Sequence, residues 1–215
     1  MRMFKKTFLF DLDGTLTDSG EGIMKSAATT LDHYGIAYNG WESLREFVGP
    51  PLHETFIKYG IANEQADDAV EVYRSRYNTI GKFENHPYDG IPELLAKLRT
   101  EGYQLLVATS KPEKISVEIM EKFEIAKYFH QICGATEDRS RTNKEDVIDY
   151  LLKENETADE IIMVGDTTFD IIGAAAHNIP SIGVAWGYGK VQDMVDAGAA
   201  AIAYTPEELY ALLTK

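Results

Sequence analysis

One cysteine, Cys133, is the only thiol in 215 residues. That leaves no intramolecular disulfide and no cysteine-based zinc cluster, a usage that fits the reducing cytoplasm expected for this chain. Basic residues are also scarce: 21 Lys and Arg stand against 35 Asp and Glu, a formal net charge of −14. Nucleic acids and anionic membranes recruit basic surfaces, so neither is an expected partner. Long apolar runs are missing too. The basic stretch at residues 1–6 is followed only by Phe8-Leu9-Phe10 before Asp11, too short for a signal peptide or a membrane span. No repeat of fixed period and no low-complexity tract occurs. What the chain does have is 44% hydrophobic and 11% aromatic residues, enough to bury a core and to argue against disorder. Its length suits one large domain, or a domain with a smaller companion.

Short apolar runs alternate with amphipathic stretches. Thr7-Phe8-Leu9-Phe10, Leu105-Leu106-Val107-Ala108, Ile161-Ile162-Met163-Val164 and Ser181-Ile182-Gly183-Val184-Ala185 read as buried strands, with Gln131-Ile132-Cys133 a weaker one. Helical periodicity falls between them, over 91–100, 113–123, 144–153 and 170–176. Buried strands separated by helices predict an α/β fold with a doubly wound parallel sheet. Residues 19–85 break the rhythm. Ile23, Ala27, Leu31 and Tyr34 recur at helical spacing, as do Val70, Tyr73, Tyr77 and Ile80, and no strand stands out. The expectation is a core domain over 1–18 and 86–215 and a small helical cap over 19–85, entered just after the first strand.

Ligands in such sheets bind outside the carboxyl ends of the strands. Asp11-Leu12-Asp13-Gly14-Thr15 follows the first strand, and Gly165-Asp166 with Asp170 follows that at 161–164. Singly, each Asp reads as a turn former or helix cap. Two acidic clusters at the ends of separate buried strands read better as a cation site. Converging carboxylates repel unless a cation neutralises them, and an all-oxygen set suits Mg²⁺.

Asp11-Leu12-Asp13-Gly14-Thr15-Leu16 resembles the first signature motif of the haloacid dehalogenase superfamily, D-x-D-G-T-L. Thr109 before Ser110-Lys111-Pro112 resembles its second motif, Lys144 its third, and Gly165-Asp166-Thr167-Thr168-Phe169-Asp170 its fourth, G-D-x-x-x-D. They occur in the family's order, and the helical interval lies where the superfamily's first type of cap is inserted. The resemblance implies a Rossmann-like core and a nucleophile, Asp11, that forms an aspartyl-phosphate. Asp13 would then protonate the leaving alcohol and activate water. Mg²⁺ would sit on Asp11, Asp166 and the backbone carbonyl of Asp13, with Asp170 as a ligand or close behind. Thr109, Ser110 and Gly14 would hold the phosphoryl group, and Lys144 would offset charge.

Asp13 favours phosphate chemistry over dehalogenation, since halide leaves without a proton. Phosphonate cleavage would need a Schiff-base lysine from the cap; Lys25, Lys58 and Lys82 read as solvated helix residues. Phe47-Val48-Gly49-Pro50-Pro51-Leu52 resembles the cap loop of the phosphoglycolate-phosphatase-like branch. Gly49 and Arg45 are therefore candidate substrate contacts, Arg45 reading equally as a solvent-facing residue. Trp186-Gly187-Tyr188-Gly189 resembles the family's glycine-rich loop. The expected activity is a Mg²⁺-dependent phosphatase of a small phosphorylated metabolite, phosphoglycolate-like or a nucleoside monophosphate, acting as a monomer or homodimer. The alternatives are a phosphomutase on the same core, or a phospho-acceptor binding module without turnover.

Overall fold

The computed structural model describes residues 4–138 and 140–215; part of the basic N-terminal stretch, residues 1–3, lies outside them. The described chain divides into two compact units, one of residues 1–17 and 87–215 and the other of Asp18–His86.

The first unit is built on β1 (Thr7–Phe10), which lies at the middle of the sheet. The chain next forms the two-residue strand β2 (Thr17–Asp18), and returns from the helical interval through β3 (His86–Pro87), its partner in a separate two-stranded sheet. The remaining strands of the large sheet are β4 (Gln104–Pro112), β5 (Gln131–Ala135), β6 (Ile161–Gly165), β7 (Ser181–Val184) and β8 (Ala201–Ala203). They run in the order β5-β4-β1-β6-β7-β8, every neighbouring pair parallel. This is the expected doubly wound α/β architecture. The order reverses about β1, with β4 on one side and β6 on the other, and places a switch point beside the end of β1.

Alternation along the strands builds two apolar layers. Phe8, Phe10, Leu105, Val107, Ile162 and Val164 belong to one, together with Ile91, Leu95 and Leu98 from the next helix of this unit. Leu9, Leu106, Ala108, Met163 and the buried Cys133 belong to the other, with Val147, Ile148 and Leu151. Every residue of β1 is therefore buried, which explains why it reads as a continuous apolar run rather than an alternating one.

The second unit contains α1 (Gly20–His33), α2 (Leu52–Lys58) and α3 (Ala66–Tyr77). Phe47 packs on Phe56 and Tyr59 with ring centroids 4.9 and 4.8 Å apart, and Tyr73 stacks on Tyr77. Ile80 is an exception to the expected periodicity. It lies beyond the end of α3 and is 57% exposed, because the helix stops at Tyr77 and the chain turns into a short 3₁₀ segment, Gly81–Phe83.

An ion pair ties the end of this unit to α3. Arg76 Nη1 and Nη2 donate to the two carboxylate oxygens of Glu84 at 2.7 and 3.0 Å, and Nη1 also reaches Ser26 Oγ at 3.2 Å. The hydrogen bonds from Arg76 hold the Glu84 carboxyl below its usual range. A depressed acid contributes stability above its unfolded pKa, and that contribution is lost as pH falls through the folded value. Glu84→Gln is expected to cost about 1 kcal/mol at pH 7. The deficit should close in acid; urea titrations at pH 7 and pH 3 measure it, and an equal deficit at both would refute the ion-pair account.

The core unit continues with α4 (Ile91–Thr100), α5 (Glu113–Lys122), α6 (Lys144–Glu154), α7 (Thr168–Ala175), α8 (Val191–Asp196) and α9 (Pro206–Leu213). Of these, α8, β8 and α9 follow the last expected strand and extend the sheet by one; β8 is only three residues long, too short for a periodicity to show. No helix among the described residues is long and apolar enough to cross a membrane.

Candidate active site

Register explains which residues meet at the switch point. Phe10 lies opposite Val107 of β4 and Val164 of β6, so the residues one or two positions further on converge. Those residues are Asp11, Ala108 with Thr109, and Gly165 with Asp166.

The fourth motif's spacing has a local cause. Asp166 leaves β6, Thr167 precedes the first turn of α7, and Asp170 falls in that turn, where its Oδ2 accepts from Thr167 N at 3.1 Å and Thr167 Oγ1 at 2.9 Å. A carboxylate so placed caps the helix and favours its positive end. Its other oxygen, Oδ1, lies 2.7 Å from Lys144 Nζ. Lys144 opens α6 behind Asn143, whose side chain accepts from Asp146 N at 2.9 Å. Its ammonium donates a hydrogen bond to the Ala108 carbonyl at 2.7 Å and makes ion-pair contacts with Asp170 Oδ1 and Asp11 Oδ1, each at 2.7 Å.

Oxygens of Asp11, Asp166 and Asp170 all lie within 4.8 Å of one another. Asp166 and Asp170 are fully buried, whereas Asp11 and Asp13 keep 13% and 19% of their side-chain surface. The two acids expected to react are thus the two that retain exposed side-chain surface. Burial pushes the Asp11 carboxyl up to about 6, against the pull of Lys144 and with the added repulsion of Asp170 and Asp13. Burial likewise raises Asp166 well above the carboxylate range, with Asp170 and Asp11 adding repulsion. For Lys144, burial is the largest influence and works downward, yet Asp11 and Asp170 together outweigh it and raise the ammonium.

This arrangement fits a divalent cation. With all three carboxylates ionised, the one ammonium would leave two negative charges in a buried space. Although Asp11 Oδ1 and Asp170 Oδ1 lie beside Lys144, neither has an aligned hydrogen-bond donor. Both are hard oxygen donors of the kind Mg²⁺ takes. Asp166 is steadied from outside the triad: Tyr188 N donates to its Oδ2 at 2.8 Å and Thr15 Oγ1 approaches Oδ1 at 3.4 Å.

Glycines allow this closeness. Gly14 has φ of 80°, and a Cβ there would collide with the Asp166 carboxylate. One on Gly187 would strike the same carboxylate and the Gly14 carbonyl. The loop holding Gly187 is anchored by Trp186, whose Nε1 donates to Thr15 O at 3.1 Å.

The structure places Thr109, 2% exposed, at the end of the buried part of β4, with Ser110 exposed beside it. The strand continues to Pro112 rather than ending at Thr109-Ser110 as its apolar run predicts, because the chain past Ala108 pairs again with β5 at Ala135. Asp13, expected to ligate through its backbone carbonyl, adds no side-chain oxygen to the triad. Its carboxylate instead meets Lys111 Nζ at 2.7 and 2.9 Å, a contact that sequence spacing does not show.

Arg45 and Gly49 belong to the second unit. Both are exposed, Arg45 in a short 3₁₀ segment and Gly49 with φ of 105°. In the same unit Lys25 pairs with Glu21 at 2.5 Å and Lys58 with Glu46 at 2.7 Å. Two of the lysines considered for Schiff-base chemistry, Lys25 partly exposed and Lys58 exposed, are thus engaged in ion pairs.

The sequence is 43% identical over 189 residues to the tyrosine-protein kinase PtkA of Mycobacterium tuberculosis, a match spanning 87% of this chain but 64% of that protein. The chain thus spans just under two thirds of the length of that relative. It is 42% identical over 188 residues to a 5'-nucleotidase of Pseudomonas aeruginosa, covering 86% of this chain and 85% of that one. Among solved structures, a predicted phosphatase from Clostridium acetobutylicum superposes with a TM-score of 0.91 at 43% identity, covering 98% of this chain and 99% of the other. Residues 8–184 match the family of haloacid dehalogenase-like hydrolases. With these motifs on these strand ends, the chain belongs to the haloacid dehalogenase-like hydrolases.

Proposed function

We propose that the protein is a Mg²⁺-dependent phosphatase that hydrolyses small phosphate monoesters through an aspartyl-phosphate. The observation that carries this reading is the division of labour at the end of β1. Asp11 is grouped with Asp166, Asp170 and Lys144, while Asp13 stands two residues on, outside that group, partly exposed and paired with Lys111.

In this reading Asp11 attacks phosphorus, forming a carboxyl–phosphate bond as the ester bond to the leaving oxygen breaks. Asp13 delivers a proton to that oxygen, then takes one from the water that attacks the aspartyl-phosphate. That second step frees Asp11 and inorganic phosphate. Lys144 keeps the nucleophile oriented and balances part of its charge. Thr109, Ser110 and Gly14 lie around the same strand ends as candidate phosphoryl contacts. Held by Asp11, Asp166 and Asp170, with the Asp13 carbonyl as a further donor, Mg²⁺ would supply the positive charge that lets an anionic nucleophile approach an anionic ester.

The helical unit is proposed as the cap, selecting the leaving group, with Arg45 and Gly49 as candidate contributors. The relatedness to a 5'-nucleotidase over most of both chains supports nucleoside 5'-monophosphates as the first substrates to assay, with phosphoglycolate beside them. The test is phosphate release from p-nitrophenyl phosphate and from these substrates, with and without Mg²⁺. Mg²⁺-dependent multiple turnover is the expected result. Single-turnover labelling of Asp11 with no phosphate release would favour a phospho-acceptor, and interconversion of sugar phosphates without hydrolysis would favour a mutase.

A further inference from the structure

Four carboxylates gather at the ends of β1 and β6, and two nearly buried lysines share them unequally. Lys144, 5% exposed, takes Asp11 and Asp170. Lys111, 7% exposed, takes Asp13, approaching both of its oxygens at 2.9 and 2.7 Å. The inner group of Asp11, Asp166, Asp170 and Lys144, when its acids are ionised, carries two negative charges, the complement of one divalent cation. The outer pair is neutral.

The backbone is built to bring Lys111 there. Ala108 pairs with Cys133 and Pro112 with Ala135, so four steps along β4 match two along β5. The surplus residues form an irregularity across Thr109–Lys111, and bulges of this kind re-aim side chains beside active sites. The segment is anchored immediately afterwards. Glu113 Oε2 accepts from Gly134 N at 3.2 Å and from Arg141 Nη2 at 2.7 Å, while Arg141 Nε donates to Gly134 O at 3.1 Å.

A free carboxylate two residues from Asp11 has a competing destination. A cation held by three carboxylates attracts a fourth, and an acid drawn into the metal's coordination no longer faces the leaving group. We propose that Lys111 is a positioning residue for Asp13: by engaging both carboxylate oxygens it keeps Asp13 out of the cation site and turned toward the leaving oxygen. The inference rests on the reading of Asp13 as the proton donor.

The test is a set of variants assayed on p-nitrophenyl phosphate, with Mg²⁺ affinity measured separately by calorimetry on substrate-free protein. Misplacing a catalytic group costs about a hundredfold, so Lys111→Met is expected to lower kcat by about 30- to 100-fold with KM changed less than about threefold. Mg²⁺ should bind this variant as tightly as wild type or tighter. Lys111→Arg, which keeps the charge, should recover most of the lost kcat. Because Lys111 acts through Asp13, Lys111→Met added to Asp13→Asn should cost no further kcat beyond about twofold. That double variant also removes both members of this ion pair together.

Several results would overturn the inference. A raised KM with kcat intact would make Lys111 a substrate contact. Weakened Mg²⁺ binding in step with kcat would make its role general to the site. A fully additive loss in the double variant would separate it from Asp13. If Asp13→Asn is crippled and Lys111→Met is not, the positioning role alone falls. If Asp13→Asn keeps wild-type kcat, the acid–base reading falls and takes the positioning role with it.

Discussion

Asp11→Asn is expected to lose at least ~10⁴-fold in kcat and, in metal-free buffer near neutral pH, to melt at a higher temperature than wild type. The two effects have one cause. Asp11 is held beside Asp166 and Asp170 in a space that burial makes hostile to negative charge, and its carboxyl is pushed up to about 6. An acid with a raised pKa binds its proton more tightly in the folded chain than in the unfolded one. Folding is therefore favoured by the proton at low pH, and the metal-free protein loses stability as pH rises from about 4 through about 6. Asparagine never takes on that charge and can still face Lys144 with its amide oxygen.

The shift corresponds to a gain on the order of 2–3 kcal/mol above pH 6, vanishing below pH 4. Calorimetric scans in EDTA from pH 3.5 to 7.5 follow the gap, and phosphate release follows kcat. Mg²⁺ should stabilise wild type more than the variant, because the variant gives up one charged ligand. A variant that melts below wild type at pH 7 in EDTA would contradict the electrostatic account, and retained turnover would remove Asp11 as nucleophile.

Lys144→Met should be the most damaging single change to the fold. The lysine is 5% exposed, and its ammonium serves Asp11, Asp170 and the Ala108 carbonyl at once. Methionine can follow much of the stem, which lies against Gly173 of α7 where a Cβ would meet Lys144 Cγ at 2.8 Å. The loss is therefore mainly one of charge. Removing one partner of a buried ionic group typically costs about 3–5 kcal/mol, since the remaining charges stay buried without compensation. Urea denaturation in EDTA measures this. Mg²⁺ should restore part of the stability by supplying the missing positive charge, while kcat stays at least about a thousandfold down because the cation cannot replace the hydrogen-bonding ammonium. Equal midpoints for variant and wild type in EDTA would show that Lys144 does not balance the triad.

These effects differ in how far they can be read without coordinates. Asp11 and Asp13 are visible because a buried strand must announce itself as an apolar run, and a polar residue ending that run is conspicuous. Asp166 and Asp170 are visible because helix capping ties an acid to a fixed place in the first turn of α7. Lys144 stands before an amphipathic helix for a similar reason. In each case function is attached to the end of a regular element, where a short-range periodicity points at it.

Other features depend on pairings with no local trace. Lys111 reaches Asp13 across 98 positions, through a strand irregularity that shows only when β4 is laid against β5. The Arg76–Glu84 pair depends on where α3 stops, and Ile80 looks apolar and periodic although it lies past that end. The segment β8 is three residues long and is held by its neighbour β7, so its own composition carries almost no signal.

The sequence by itself therefore determined the layer order of the core, the family and the identity of the converging acids. Those follow from hydrophobic period and capping, interactions that act over a few residues. Only the tertiary structure decided which of the four carboxylates the two lysines take: Lys144 takes Asp11 and Asp170, and Lys111 takes Asp13. That division arises from strand register and burial, and the electrostatics of a buried group depend on neighbours brought from distant parts of the chain. The −14 charge shows the same split. Its sign argues against nucleic acid from composition alone, while the crowding of three carboxylates around one ammonium at the end of β1 is a product of the fold.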